Sequence, residues 1–192
     1  MTIERPSKEG MSSVTEQPNA TAPIVIGLAG WSGSGKTRLA VKLIALLKAK
    51  GLRVATIKHA HHAFDVDVPG KDSHTHRTAG ADEVLVASSR RIAHMIEDPL
   101  PDADDRRSLP PLLERLGAVD VVLVEGFKTA PHPKLEVYRE AVGKPRLRDS
   151  VPNIIALATT DAALIAPSER GGPTFDLDQP DLWIDDLLDL FR

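Results

Sequence analysis

The sequence predicts a single α/β domain: a mostly parallel sheet flanked by helices, with one antiparallel hairpin. Three observations carry the prediction. A buried-type apolar run near the N-terminus leads through a glycine-rich loop into a helical pattern, Ile24 to Leu47. Strand and helix signals alternate through most of the remaining chain, as they do in parallel sheets with helical crossovers. One pair of strand signals, Glu83–Ala87 and Arg91–Ile96, is separated only by Ser88-Ser89-Arg90, which is too short for a helical crossover and demands a hairpin.

The elements follow in chain order. Residues 1–22, rich in Ser, Thr, Glu and Pro, read as a disordered tail with no apolar signal-peptide core, and Met11 offers an alternative start. The domain occupies 23–192. Its first strand is Pro23–Ala29, and Leu39, Leu43, Ile44, Leu46 and Leu47 then repeat at helical spacing until Gly51 stops the helix. Arg53–Lys58 is the second strand, and Asp72 is expected to cap a short helix reaching Ala79. After the hairpin, the acidic, proline-rich stretch Asp98–Pro111 reads as a loop, followed by a short helix, Leu112–Leu116. Val119–Gly126, Leu135–Tyr138 and Ile154–Ala158 supply three further strands, and Asp181–Phe191 closes the chain as an amphipathic helix.

Composition narrows the function. The 192 residues carry a formal net charge of -3, which opposes a general nucleic-acid surface because phosphate-backbone binding needs a concentrated basic excess. Arg90-Arg91, Arg106-Arg107 and the Arg146/Arg148 pair therefore read as solvated faces. With no cysteine, the chain has no disulfide, thiolate metal site or cysteine nucleophile, and it suits a reducing cytoplasm. No apolar stretch approaches membrane-spanning length.

The glycine loop carries the strongest chemistry. Gly30-Trp31-Ser32-Gly33-Ser34-Gly35-Lys36-Thr37 stands between a buried strand and a helix, which is the setting a phosphate loop requires. Its glycines let successive backbone N–H groups face a polyphosphate at the positive end of the helix. Lys36 would neutralise the β and γ oxygens, and the Thr37 hydroxyl would ligate magnesium. The candidate nucleotide-binding set is Gly30, Ser32, Gly33, Ser34, Gly35, Lys36, Thr37 and Arg38, and the fold is P-loop NTPase-like.

A second group comes from the strand ending in Glu125-Gly126. A carboxylate leaving a buried strand beside the loop can hold magnesium or orient the attacking water. Lys36 and Glu125 are thus the candidate catalytic pair, although Glu125 at the end of a strand is also a plausible solvent-facing terminator. Asp120 starts the same strand at its opposite end, away from any such site.

The stretch Lys58-His59-Ala60-His61-His62-Ala63-Phe64-Asp65-Val66-Asp67-Val68-Pro69-Gly70-Lys71-Asp72-Ser73-His74-Thr75-His76-Arg77 leaves the carboxyl end of the second strand, so it faces the same crevice. Its histidines lack a fixed metal-ligand spacing, which favours an anion or magnesium role over a zinc site. Lys58, Lys71 and Arg77 are candidates for phosphate contact, and Asp65 and Asp67 for placing magnesium.

Taken in order, WSGSGKT, IKHAHHAFDVDVPGKDS, RTAGA, VLVAS and VLVEGFK resemble the MobB family, adapters of molybdopterin guanine dinucleotide biosynthesis, over about residues 24 to 160. The resemblance implies a homodimeric GTP-binding protein with magnesium and weak GTPase activity. It also implies a partner, a MobA-like guanylyltransferase that makes the molybdopterin guanine dinucleotide cofactor. Carried over residue by residue, Gly33 to Thr37 meet phosphates and magnesium, Glu125 is the second acidic motif, and the 65–77 loop, with Lys58 and His59, faces substrate or partner.

No Asn-Lys-x-Asp or Thr-Lys-x-Asp sequence, the usual guanine-reading pattern, occurs in the chain. Asp161, leaving the late strand, could accept hydrogen bonds from guanine N1 and N2, and a turn or capping role is the equal alternative. A small-molecule kinase and a metallochaperone GTPase using the histidine loop are the competing functions.

Overall fold

The computed structural model describes residues 22–60, 64–97, 105–165 and 172–192. The expected tail lies outside these residues up to position 21, as do His61 and His62. Strand β1 (Ile24–Ala29) leads through the glycine loop into α1 (Lys36–Ala49), and β2 (Val54–Lys58) follows. Next come α2 (Asp72–Thr78), the hairpin β3 (Glu83–Ala87) and β4 (Ile92–Ile96), then α3 (Asp105–Glu114) and β5 (Val121–Glu125). The chain continues through β6 (Lys134–Tyr138), β7 (Ile154–Thr159) and β8 (Thr174–Asp176), and ends in α4 (Ile184–Phe191).

Six strands form one parallel sheet in the order β2-β5-β1-β6-β7-β8, while β3 and β4 pair antiparallel as a separate ribbon. Both faces of the central strands are buried. On one face, Ile26, Leu28, Val121, Leu123, Leu135 and Val137 pack beneath Leu39, Leu43 and Leu47 of α1 and Leu187 of α4. On the other, Ile57, Val122 and Val124 pack with Leu109, Phe127 and Ala130. A central strand covered on both sides needs apolar residues at consecutive positions, and Val121-Val122-Leu123-Val124 supplies them.

Three expectations need correction, and one strand was not foreseen. Part of the stretch read as a loop, Asp98–Pro111, is helical: α3 runs from Asp105 to Glu114 with Pro110 and Pro111 inside it. Proline in a helix forfeits a backbone hydrogen bond and crowds the preceding turn, at about 3 kcal/mol in an interior position. Leu109, Leu112, Leu113 and Leu116 stand at i, i+3, i+4 and i+7, and together they cover the second core face while the prolines face solvent. Asp72 does not cap α2. Lys71 is the N-cap, and Asp72 is the first helical residue, placed where a negative charge meets the positive end of the helix dipole. The closing helix starts later than expected, at Ile184, after a 3-10 turn over Pro180–Leu182. Finally, the three-residue β8, which is too short to show periodicity, adds an edge strand beside β7.

Candidate nucleotide-binding site

The parallel register gathers the site at the carboxyl ends of neighbouring strands. Leu28 of β1 and Lys58 of β2 both pair with Glu125 of β5, so the glycine loop, Glu125 and Lys58 leave neighbouring strands side by side. The reversal in strand direction of travel falls at β1, where the chain first moves toward β2 and later toward β6, and ligands of open α/β sheets bind in the crevice at such a point.

The loop itself is held open by its glycines. Gly30, Gly33 and Gly35 have φ values of 150, 80 and 101°. A Cβ on Gly30 would stand 2.6 Å from the Val137 carbonyl oxygen and 2.7 Å from Ser34 Oγ, so no larger residue fits there. The Ser34 hydroxyl is buried without a hydrogen-bond partner, whereas Ser32 and Gly33 are exposed at the rim. Lys36 Nζ donates to the carbonyl oxygens of Gly30, at 3.0 Å, and Trp31, at 2.8 Å. Burial holds its pKa below the ordinary lysine range; Glu125 opposes that shift, and the nearby Lys128 and Lys58 charges reinforce it.

Thr37 Oγ1 lies 3.3 Å from each carboxylate oxygen of Glu125, and its hydroxyl donates to them. Lys58 Nζ stands 3.6 Å from Glu125 Oε1. A hydroxyl and a carboxylate meeting beside a glycine loop are hard oxygen ligands of the type magnesium takes, with its other positions left to phosphate oxygens and water. The residues present therefore fit a magnesium-bound nucleoside triphosphate. A cleft of about 170 Å³ opens beside them between α1 and β2, with Ala40, Val41 and Ile44 on one wall and Thr56 on the other.

Three residues missed at the sequence level complete the surroundings. Arg139, the first residue after β6, donates from Nε to the Ser34 carbonyl oxygen at 3.2 Å and reaches Asp178 at 3.8 Å, closing the loop on its β6 side. Trp31 donates from its indole nitrogen to the Pro145 carbonyl oxygen at 2.7 Å, and Lys128 Nζ lies 5.1 Å from the centre of its ring. Only the position of Lys128 three residues beyond Glu125, in the VLVEGFK stretch, hinted at this arrangement.

The other predicted residues stand elsewhere. His59 stacks on Phe127 with ring centres 4.8 Å apart, and its backbone N–H donates to the Glu125 carbonyl oxygen. Arg77 bonds Asp65 and Glu97 at 2.8 Å each and Asp67 at 3.3 Å, tying the loop to α2 and to the residue that follows β4. Asp65 and Asp67 are thus partners of an arginine, held below the usual carboxylate range, Asp65 chiefly by Arg77 and Asp67 by bonds from Ser73, Val68 and Arg77 that outweigh its burial. Neither is joined to Thr37 or Glu125. Lys71, Asp72 and Arg38 are exposed. Asp161 Oδ1 accepts the Ala163 N–H at 3.0 Å, which is the turn role foreseen as its alternative. Among the described residues no three His, Cys, Asp or Glu side chains form a metal-holding group.

Comparison with known proteins agrees with this fold. The sequence-family model described as "Molybdopterin guanine dinucleotide synthesis protein B", MobB, matches residues 25–160. An Escherichia coli molybdopterin-guanine dinucleotide biosynthesis adapter protein is 44% identical over 119 residues, which is 62% of this chain and 67% of that protein. Its Haemophilus influenzae counterpart is 43% identical over 135 residues, covering 70% of this chain and 74% of the relative. A Bacillus stearothermophilus MobB homologue of known structure superposes with a TM-score of 0.59 at 26% identity, over 88% of this chain and 97% of that one. The family model spans well over half of the sequence, including the glycine loop and Glu125, and the chain belongs to the MobB family.

Proposed function

We propose that the chain is an adapter of molybdopterin guanine dinucleotide synthesis that holds GTP and magnesium in its glycine loop and serves a MobA-like guanylyltransferase in the cytoplasm. The observation that carries the reading is the Thr37–Glu125 contact at the mouth of the glycine loop. In this role Lys36 leaves the loop carbonyls for the β and γ phosphate oxygens, and backbone N–H groups from Gly33 to Thr37 face the phosphates. Thr37 and Glu125 hold magnesium, and Glu125 or a water it orients supports slow hydrolysis at most.

Assembly as a homodimer is part of the same reading. Leu85 and Ile92 lie 61% and 69% exposed on one face of the β3–β4 ribbon, and an isolated two-stranded ribbon is marginal in water until something covers it. A second copy of the ribbon is a matching cover.

The reading is tested by titrating the protein with GTP, with and without magnesium, alongside Lys36→Ala. The variant is expected to keep its fold, because it removes a half-buried charge rather than core, and to lose GTP binding. Affinity that survives within about threefold would overturn the assignment, since charge-assisted phosphate contacts are worth more than that. Adding the purified guanylyltransferase then measures whether the parent stimulates dinucleotide formation and Lys36→Ala does not.

A further inference from the structure

The turn after Glu125 is more tightly specified than a strand terminus requires. Gly126 has a φ of 98°, and a Cβ on it would stand 2.7 Å from His59 Cβ, so only glycine fits beneath the histidine. Phe127 follows with a φ of 49°, rarely adopted by a residue with a side chain, and its ring is 1% exposed and stacked on His59. The buried ring anchors the reversal. Its product is the placement of Lys128, which returns over the glycine loop instead of continuing into solvent.

There it shares a support with Lys36. The Trp31 carbonyl oxygen accepts from Lys36 Nζ at 2.8 Å, and the Trp31 ring lies beneath Lys128 Nζ at 5.1 Å. Lys58 stands 3.6 Å from Glu125, and Lys36 feels the charges of Glu125, Lys128 and Lys58, so three ammonium groups and one carboxylate gather at the phosphate end of the loop. That excess of positive charge calls for an anion. The indole face is a weak seat for an ammonium group compared with a phosphate oxygen, so Lys128 is a cation free to be drawn off by a ligand.

We propose that Lys128 is the residue with which this site distinguishes a nucleoside triphosphate from a diphosphate, its ammonium group passing from the Trp31 ring to the terminal phosphate. The proposal rests on the nucleotide-binding reading above. Trp31, tied to Pro145 at its other end, registers the transfer, so the 140–149 segment feels which nucleotide is present. Lys36 and the loop amides suffice for a diphosphate. The third phosphate recruits Lys128.

The test uses the full chain, its Lys128→Met variant, which keeps the apolar stem on the ring, and Lys128→Arg, which keeps the charge. GTP and GDP affinities are measured by calorimetry with magnesium, and tryptophan emission is followed in parallel. The chain has two tryptophans, and Trp183 is buried with its indole nitrogen bonded to the Asp176 carbonyl oxygen, so a ligand-dependent change reports Trp31. Lys128→Met is expected to weaken GTP about tenfold or more while GDP stays within about twofold, in line with one lost charge-assisted contact. The parent's emission change with GTP is expected to be absent with GDP and in Lys128→Met, and restored in Lys128→Arg. Equal weakening of GTP and GDP would make Lys128 a packing partner of Trp31 and overturn the proposal. A parent that binds neither nucleotide overturns the nucleotide reading, and this proposal with it.

Discussion

Replacing Phe127 with alanine and, separately, with glycine separates two forces acting on one residue. The ring is 1% exposed and packs among Ile57, Leu109, Val122, Val124 and Ala130. Truncating a buried phenylalanine to alanine costs about 3–5 kcal/mol, a large part of the about 5–15 kcal/mol that holds a domain together. Both variants lose the packing of the ring, and glycine also lacks the β-carbon, a further loss of about 0.8 kcal/mol at a buried position. They differ in the backbone, because a φ of 49° strains any residue with a Cβ by about 1–2 kcal/mol and leaves glycine unstrained. Glycine's extra freedom in the unfolded chain costs about 0.5–1 kcal/mol in return. Phe127→Gly is therefore expected to lie within about 1 kcal/mol of Phe127→Ala, whereas at a buried position with ordinary backbone angles it would be about 1.5 kcal/mol less stable. Urea denaturation of the two variants with equal m-values measures the difference. A glycine variant less stable than the alanine one by about 1.5 kcal/mol or more would refute the idea that the backbone at this position is strained for a residue with a β-carbon.

Arg77→Ala removes the shared partner of Asp65, Asp67 and Glu97, so the 64–72 segment should be cleaved faster in limited proteolysis while GTP affinity stays unchanged, because Arg77 does not touch the glycine loop. Unchanged cleavage would show that the ion pairs do not anchor the segment. Asp120 responds to pH: the Arg53 side chain and backbone N–H lower its pKa to about 2. A depressed folded-state pKa gives stability that is present above the unfolded value of about 4 and is lost as pH falls toward 2. Melting temperatures of the parent and Asp120→Asn should thus differ by a constant amount near neutrality and converge between about pH 4 and 2. A gap that does not close would place the effect of Asp120 in something other than its charge.

Most of the framework was written locally. The β1–loop–α1 unit, the close spacing of β3 and β4, and the apolar run of β5 each depend on neighbours a few positions away, and periodicity and glycine placement expose such dependence. The helical spacing of Leu109, Leu112, Leu113 and Leu116 was also present, but Pro110 and Pro111 masked it, because local propensity disfavours a helix that only the core beneath makes worthwhile. In the site, Gly30 to Thr37 and Glu125 were legible, since a phosphate loop and the acid ending a buried strand have recognisable contexts.

The remaining assignments needed coordinates. Arg77 and the two aspartates looked like phosphate and metal groups because their chemistry permits it, and whether they spend that chemistry on one another depends on how the loop lies against α2 and the residue that follows β4. Arg139 meets Ser34 across 105 positions, and Trp31 meets Pro145 across 114, so no local pattern could join them. The sequence by itself determined a glycine loop of phosphate-loop pattern in an α/β domain, because those signals are encoded within single elements. Only the tertiary structure decided which cations and acids surround that loop, because sheet order and register, set by packing over the whole chain, bring the carboxyl ends of distant strands together.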